Sequence, residues 1–320
     1  MDTLHDVTLP SDVIKFLEYL QARGRRPSTI KRYRYDLEDF FRYYKENNNN
    51  SNNWKELTQA DYELFFQYLF TERNYSLSTM KRIHTVLKRL NLFYNLTDTP
   101  PEMNLNLEKK TLQKADFISE QEQEQLMKTL QSTSGLTDNQ LRSRHLLIDR
   151  NIMIVRLLLT YGLTLQELVS LRMKHLHFEQ NSLDIQSESS LSRTIELMED
   201  DKQLLYRYIK TIPEPVRPRY HSSDPLFVSF DFQRGTYRWV YEKNAPKRLT
   251  EIAIQKMIRE EIARSELRKG ICAQHMRNTC ILDQIKNDKS TEAIQQYFGF
   301  KTPLSLKRFY KYVEDHLSVN

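Results

Sequence analysis

At 320 residues the chain has room for about two domains of ordinary size, and its 39% hydrophobic and 11% aromatic content excludes wholesale disorder. A net charge of +6 favours a polyanionic partner without requiring one, because many basic proteins never meet nucleic acid. Two cysteines, Cys272 and Cys280, lie in one segment that reads as helical; they offer neither a disulfide framework nor a zinc site, and no cofactor is indicated. No apolar run approaches the ~20 residues that span a bilayer, and Met1 is followed by Asp2 and not by a basic signal-peptide start. The expectation is a cytoplasmic protein with no membrane partner.

Only 6 glycines and 10 prolines punctuate the sequence, so long helices should dominate. From Ser11 to Ala22, the residues Val13, Phe16, Leu17 and Leu20 recur at helical spacing. A second helix is predicted from Ser28, burying Ile30, Tyr33, Leu37, Phe40 and Phe41. The run from Asn47 to Asn53 reads as a polar loop. Helix resumes near Thr58, with Leu64, Phe65, Tyr68 and Leu69 facing inward, and again from Ser78 with Met80, Ile83, Leu87 and Leu90. The aromatic run Phe40, Phe41, Tyr43 and Tyr44 reads as core and not as a base-stacking platform. These four helices make a small bundle over residues 1–98. Residues 99–116, with Thr99, Pro100 and Pro101 and no clear period, read as a linker. A second domain, 117–320, opens where Ser119 and Glu122 form a capping box.

Ser28-Thr29-Ile30-Lys31-Arg32 recurs as Ser78-Thr79-Met80-Lys81-Arg82. Each copy pairs a hydroxyl at a helix start with an inward apolar residue and two cations in the first turn. Cations there oppose the helix dipole, and they become useful if a phosphate binds the free backbone N–H groups beside them. Arg23, Arg25, Arg26 and Arg34 extend the first cluster, and Lys88 and Arg89 extend the second. The plainer reading is two solvated faces with similar caps.

In the second domain, Asn151 to Leu159 reads as an apolar helix that ends in Gly162-Leu163-Thr164-Leu165-Gln166-Glu167-Leu168. Leu183, Ile185, Ile195 and Leu197 flank Ser187 to Ser192 as a β-hairpin. Helices follow from Asp200 to Thr211 and from Thr250 to Arg264, the latter with Ile252, Ile254, Ile258 and Ile262 on its apolar side. Gln274-His275-Met276-Arg277 opens another helix. Tyr297-Phe298-Gly299-Phe300 then leads through Pro303 to Phe309-Tyr310.

In this order and at this spacing, the segments resemble the tyrosine recombinase (phage integrase) family over roughly residues 11–315. The resemblance implies a mainly α fold with a small β-hairpin. It further implies a two-domain clamp, made of a helical core-binding domain and an α+β catalytic-like domain. Thr164 falls where the family has its first arginine, Gln274 where it has its first histidine, and Phe300 where it has its second. Arg277 matches the second arginine, and Tyr310 lies where the nucleophile of many members falls, although Phe309 fits the shorter common spacing. The family's catalytic lysine sits on the hairpin, and here no lysine occurs between Lys174 and Lys202.

These departures bear on chemistry. Thr164 is neutral and too short to fork onto a phosphate. Gln274 cannot shuttle protons near neutral pH, and Phe300 offers no hydrogen bond. Phosphoryl transfer depends on positioned positive charge, and losing one such donor typically costs ~10²–10³ in rate. His275 is turned by roughly 100° from the expected histidine on a helix, which suits a structural or DNA-facing part. Arg277 reads as a phosphate contact, with a buried arginine paired to an acid as the alternative. Tyr310 reads as packing or a hydrogen-bond donor.

The expected function is therefore that of a non-catalytic, sequence-specific binder of double-stranded operator DNA, with no enzyme activity. The whole chain with these losses resembles the recombinase-like master repressors of SPβ-group Bacillus prophages. That likeness implies repression that maintains lysogeny, in a bacterial cytoplasm and on the nucleoid. The DNA-contacting set would be Arg25, Arg26, Lys31, Arg32, Arg34, Lys81, Arg82, Lys88 and Arg277. Self-association on DNA through the C-terminal helix and a regulatory protein partner are further expectations. The alternatives are an active site-specific recombinase with a remodelled site, an accessory factor in a recombination complex, and a scaffold that no longer touches DNA.

Overall fold

The computed structural model describes residues 9–47, 53–101, 111–187 and 190–317. The chain divides into two compact units, Met1–Lys110 and Thr111–Asn320. It is mainly helical, with small antiparallel sheets.

The first unit holds α1 (Ser11–Ala22), α2 (Pro27–Asn47), α3 (Gln59–Thr71) and α4 (Leu77–Phe93). Each contributes one apolar stripe at i, i+3, i+4 spacing, the condition for burying a helix on one side. Val13, Phe16, Leu17 and Leu20 do this in α1, and Ile30, Tyr33, Leu37, Phe40 and Phe41 in α2. The aromatic run is core: Phe40 stacks on Tyr62 at 5.7 Å and meets Phe65 edge-on at 5.0 Å. In α3 the buried face is Tyr62, Phe65, Phe66 and Leu69, while Leu64, expected inward, is 56% exposed. One residue is about 100° on a helix, so once Phe65 and Leu69 face the core Leu64 is carried off it. Of the loop expected at Asn47 to Asn53, residues 48–52 lie outside the described residues. So do residues 102–110 of the expected linker.

In the second unit, Ser119 and Glu122 close the expected capping box on α5 (Glu120–Gln131), with Ser119 N–H donating to Glu122 Oε2 at 2.8 Å. The next helix, α6 (Asp138–Leu159), is far longer than the apolar stretch from Asn151. Its first half is polar and held by its own capping box of Thr137 and Gln140. After α7 (Leu165–Ser170) comes a three-stranded sheet of β1 (Leu176–His177), β2 (Ser182–Ile185) and β3 (Arg193–Glu196). The expected hairpin is its β2–β3 pair, with Leu183 opposite Ile195, and residues 188–189 of its loop lie outside the described residues.

Helix α8 (Glu199–Thr211) leads to two short hairpins that sequence reading missed. They are β4 (Phe230–Asp231) with β5 (Thr236–Tyr237), and β6 (Trp239–Val240) with β7 (Ala245–Pro246). Four helices finish the chain: α9 (Glu251–Arg264), α10 (Ala273–Lys286), α11 (Thr291–Phe298) and α12 (Lys307–Leu317). Thr250 caps α9 as expected, and Ile254, Ile258 and Ile262 are buried. Ile252, expected beside them, is 74% exposed because it stands two residues from Ile254, on the far side of the helix. No described helix is long and apolar enough to cross a membrane.

Candidate functional site

The chain leaves α6 through Gly162, whose φ of +63° lies in the left-handed region. A Cβ there would stand 2.3 Å from a ring carbon of Phe298 and 3.1 Å from Cys280 Sγ. Backbone strain and overpacking add, so Gly162→Ala should destabilise by roughly 2–3 kcal/mol. Chemical denaturation of the variant checks this, and a wild-type midpoint would contradict it.

The turn delivers Thr164 to the start of α7. Its Oγ1 accepts from Glu167 N–H at 3.1 Å, while its own N–H donates to Glu167 Oε2 at 2.8 Å. Where the resemblance led to the expectation of a lost arginine, the structure has Thr164 as a helix cap.

Glu167 is fully buried and forms the hub of the site. Arg193 donates to both its oxygens, at 2.5 and 3.3 Å, and Ser190 Oγ donates at 2.6 Å. Arg277 Nη1 lies 3.4 Å from Oε2. Burial pushes the carboxyl up, but the Arg193 hydrogen bond and charge, the Arg277 charge and the Ser190 hydroxyl outweigh it and hold it at about 2. The hairpin lacks a lysine, yet it is not without an inward cation. Ser190 is there, but β3 opens with Arg193, and its side chain turns inward to the carboxylate. An arginine leading a strand whose Ile195 is buried was the available signal, since alternation puts residues 193 and 195 on one face.

Arg277 is 6% exposed. Nη1 donates to the Gly162 carbonyl and Nη2 to the Phe298 carbonyl at 3.2 Å. The rings of Phe298 and Phe300 lie 5.2 and 5.3 Å from the guanidinium carbon. Burial pushes its pKa down to about 10 although Glu167 opposes the shift. Phe300, without a hydrogen-bonding group, thus serves as one of two aromatic walls around this cation. Gln274 Nε2 donates to Asn278 Oδ1 at 2.8 Å. His275 Nδ1 accepts from Cys272 N–H at 3.1 Å in the cap of α10, a structural part.

A cavity of about 560 Å³ brings together Thr164, Ser190, Gln274, Arg277, Phe300 and Arg308. Arg308 and Lys301, also on its wall, are cations that sequence reading did not single out. Tyr310 is absent from this lining. Its hydroxyl lies 2.8 Å from Thr291 Oγ1, and Phe309 is buried against Phe117 with ring centroids 6.3 Å apart.

The basic positions of the first unit fall into two kinds. Helices α2 and α4 begin at Pro27 and Leu77, one residue earlier than expected, so Lys31-Arg32 and Lys81-Arg82 stand fifth and sixth in their helices. The repeat keeps its register, but the cations lie in the second turn, beyond the reach of the dipole argument. Arg82 grips buried Asp36 with two hydrogen bonds, at 2.9 and 2.8 Å, and Arg32 stands 3.8 Å from the same carboxylate. Lys31, Arg34 and Lys81 are exposed, whereas Arg26 and Lys88 are half-buried. Arg25 lines a cavity of about 530 Å³ with Arg23 and Arg89.

Residues 14–98 match the phage integrase N-terminal SAM-like domain, and residues 116–316 match the phage integrase family. Tyrosine recombinase XerD of Oceanobacillus iheyensis is 22% identical over 288 residues, covering 89% of this chain and 88% of that protein. Tyrosine recombinase XerC of Lactobacillus delbrueckii subsp. bulgaricus is 22% identical over 310 residues, 95% of each chain. The Tn1549 transposon integrase in complex with a circular intermediate DNA has a similar fold, with a TM-score of 0.66 and 17% identity over 92% of this chain and 93% of that one. The XerH recombinase bound to its difH substrate gives 0.64 and 16% over 99% and 90%. The expectation that the chain is not an enzyme does not stand against these findings, because the family match covers most of its length and its relatives are named as recombinases. The chain belongs to the phage integrase family of tyrosine recombinases.

Proposed function

We propose that the chain binds specific duplex DNA and regulates transcription from it as a repressor, on a tyrosine recombinase fold with a remodelled pocket. The supporting observation is that Thr164, Gln274 and Phe300 are each engaged locally, as a helix cap, an amide bonded within α10 and an aromatic wall. Arg277, which lines the pocket, and Arg193 behind it both meet Glu167. Such a pocket suits holding an intact phosphate at its rim, where Lys301 and Arg308 add charge.

On this reading the first unit's DNA contacts come from Arg25, Arg26, Lys31, Arg32, Arg34, Lys81 and Lys88, and Arg277 adds the face that lines the cavity. Arg82 acts through Asp36. Residues 1–98 and 117–320 are the two DNA-handling domains, with 99–116 linking them. Maintenance of prophage lysogeny is the setting in which such a repressor would work. Self-association would use the charged face of α12, since Phe309 and Tyr312 are buried in its own unit; a regulatory protein partner belongs to the same proposal.

The test is genome-wide mapping of binding sites in the native host, with transcript levels after deletion. Derepression of genes beside the mapped sites is expected, and sites without any transcript change would overturn the repressor role. A second reading, strand cleavage through Tyr310, is favoured by the relatives' names. A suicide substrate carrying a mapped site traps a covalent phosphotyrosine if Tyr310 attacks. Under repression alone, Tyr310→Phe keeps both affinity and repression and the wild type gives no adduct; under the second reading the wild type is trapped and Tyr310→Phe binds without being trapped.

A further inference from the structure

A second cavity of about 590 Å³ lies in the C-terminal unit, walled by α6, α9 and the β4–β7 hairpins, away from the Glu167 hub. Arg150, in the interior of α6, lines it and is 4% exposed. Its Nε and Nη2 donate to Asn151 Oδ1 at 3.2 and 3.1 Å, and its Nη1 donates to the Val228 carbonyl at 3.0 Å. All these acceptors are neutral. The other two buried arginines, Arg144 and Arg277, each reach a carboxylate: Glu261 at 2.8 Å and Glu167 at 3.4 Å. Among the described residues Arg150 has no such partner. Burial pushes its pKa down, and no carboxylate opposes the shift. A buried cation calls for a counter-charge.

A guanidinium has five N–H donors. Three are used here, which leaves one on each terminal nitrogen, the number that a forked contact to a carboxylate or phosphate takes. The rest of the wall supports an anion. Five cationic side chains line the cavity against two carboxylates, Glu260 and Glu261. Arg144 is matched by Glu261, Lys256 by Glu260 at 3.7 Å, and Arg238 by Asp231 at 3.1 Å. Lys247 stands exposed at the rim, in no carboxylate ion pair among the described residues. The first turns of α6 and α9, at Thr137 and Thr250, border the same space with their positive dipole ends. Leu147, Phe230, Phe232 and Met257 supply apolar walls.

We propose that this cavity binds a small organic anion, with its carboxylate or phosphate head on Arg150 and its apolar or aromatic body against Phe230, Phe232 and Met257. The volume is that of an ordinary small-molecule site. This inference does not rest on the repressor reading.

Titration calorimetry of the full-length protein with phenyl phosphate, phenylacetate and neutral benzyl alcohol tests it, and the first two separate a phosphate head from a carboxylate. One anion per chain should bind at millimolar concentration or below, and benzyl alcohol should not. Arg150→Met should weaken binding by about tenfold to a hundredfold, the loss of a charge-assisted contact. If that variant does not fold, Lys247→Gln and Phe232→Ala, both at exposed positions, should each weaken binding severalfold. Silence from both anions, or equal binding of benzyl alcohol, would overturn the proposal. So would binding that survives Lys247→Gln and Phe232→Ala but falls with Lys31→Ala and Lys81→Ala, since the anion would then lie on the first unit.

Discussion

Glu167→Gln should lower the melting temperature by roughly 6–20 °C, because it leaves two buried guanidinium groups without a counter-charge at a cost of about 3–5 kcal/mol. Glutamine keeps the size and one acceptor of the carboxylate, so the loss measures charge and not volume. Arg193 and Arg277 would then face each other across the hub. Adding Arg193→Gln to Glu167→Gln should recover part of the loss, since one orphan charge disappears. The pH dependence follows from the same group. Its folded pKa is depressed to about 2 from an ordinary 4.5, so its contribution is complete above pH 4.5 and is lost as pH falls toward 2. The wild type should weaken across that window, and the Glu167→Gln variant should lack this component. Equal melting temperatures for the two proteins at pH 7 would show that the hub does not stabilise the fold.

What the sequence disclosed about this hub, and what it hid, has a physical pattern. Helix faces were legible wherever apolar residues recurred at the helical period, as with Val13, Phe16, Leu17 and Leu20. The errors at Leu64 and Ile252 came from counting an apolar residue that sits one or two positions off the true stripe. The polar first half of α6 was hidden for the opposite reason: Arg144 is buried through pairing with Glu261, and a hydrophobic pattern does not register such burial. The four-residue pairing of β2 with β3 showed through alternation, whereas the two-residue strands β4 to β7 are too short to show a period.

At the site, the family resemblance singled out Thr164, Gln274, Arg277 and Phe300, which the fold brings to one cavity. Their partners were not legible. Glu167 and Arg193 stand 26 residues apart and meet only because the hairpin folds over α7. Arg82 and Asp36, 46 residues apart, hid in the same way: a cation that repeats Arg32 in sequence holds a buried acid in space.

That division among the cations sets the outcome of a salt titration. Binding to a mapped duplex site should lose ~10³–10⁵ in affinity between 50 and 200 mM salt if 6–10 phosphates are neutralised. Lys31, Arg34 and Lys81 are exposed, so the triple alanine variant should fold normally. It should lower the slope of log K against log salt by nearly 3, at about 0.9 for each phosphate contact removed. Arg82→Ala should behave differently, because the residue is bound to Asp36, which is 3% exposed. Removing it takes both hydrogen bonds from a buried carboxylate between α2 and α4 and leaves only Arg32, 3.8 Å away, a loss of about 2 kcal/mol that reads out as a lower melting temperature. Its effect on the salt slope, measured on the folded fraction, should be small. The two variants therefore separate a cation that meets DNA from one that holds the helices that present it. A triple variant with the wild-type slope would remove the repeated Lys31 and Lys81 positions from the interface. An Arg82→Ala protein with unchanged melting temperature and a shallower slope would reverse the assignment and place Arg82 on the phosphate.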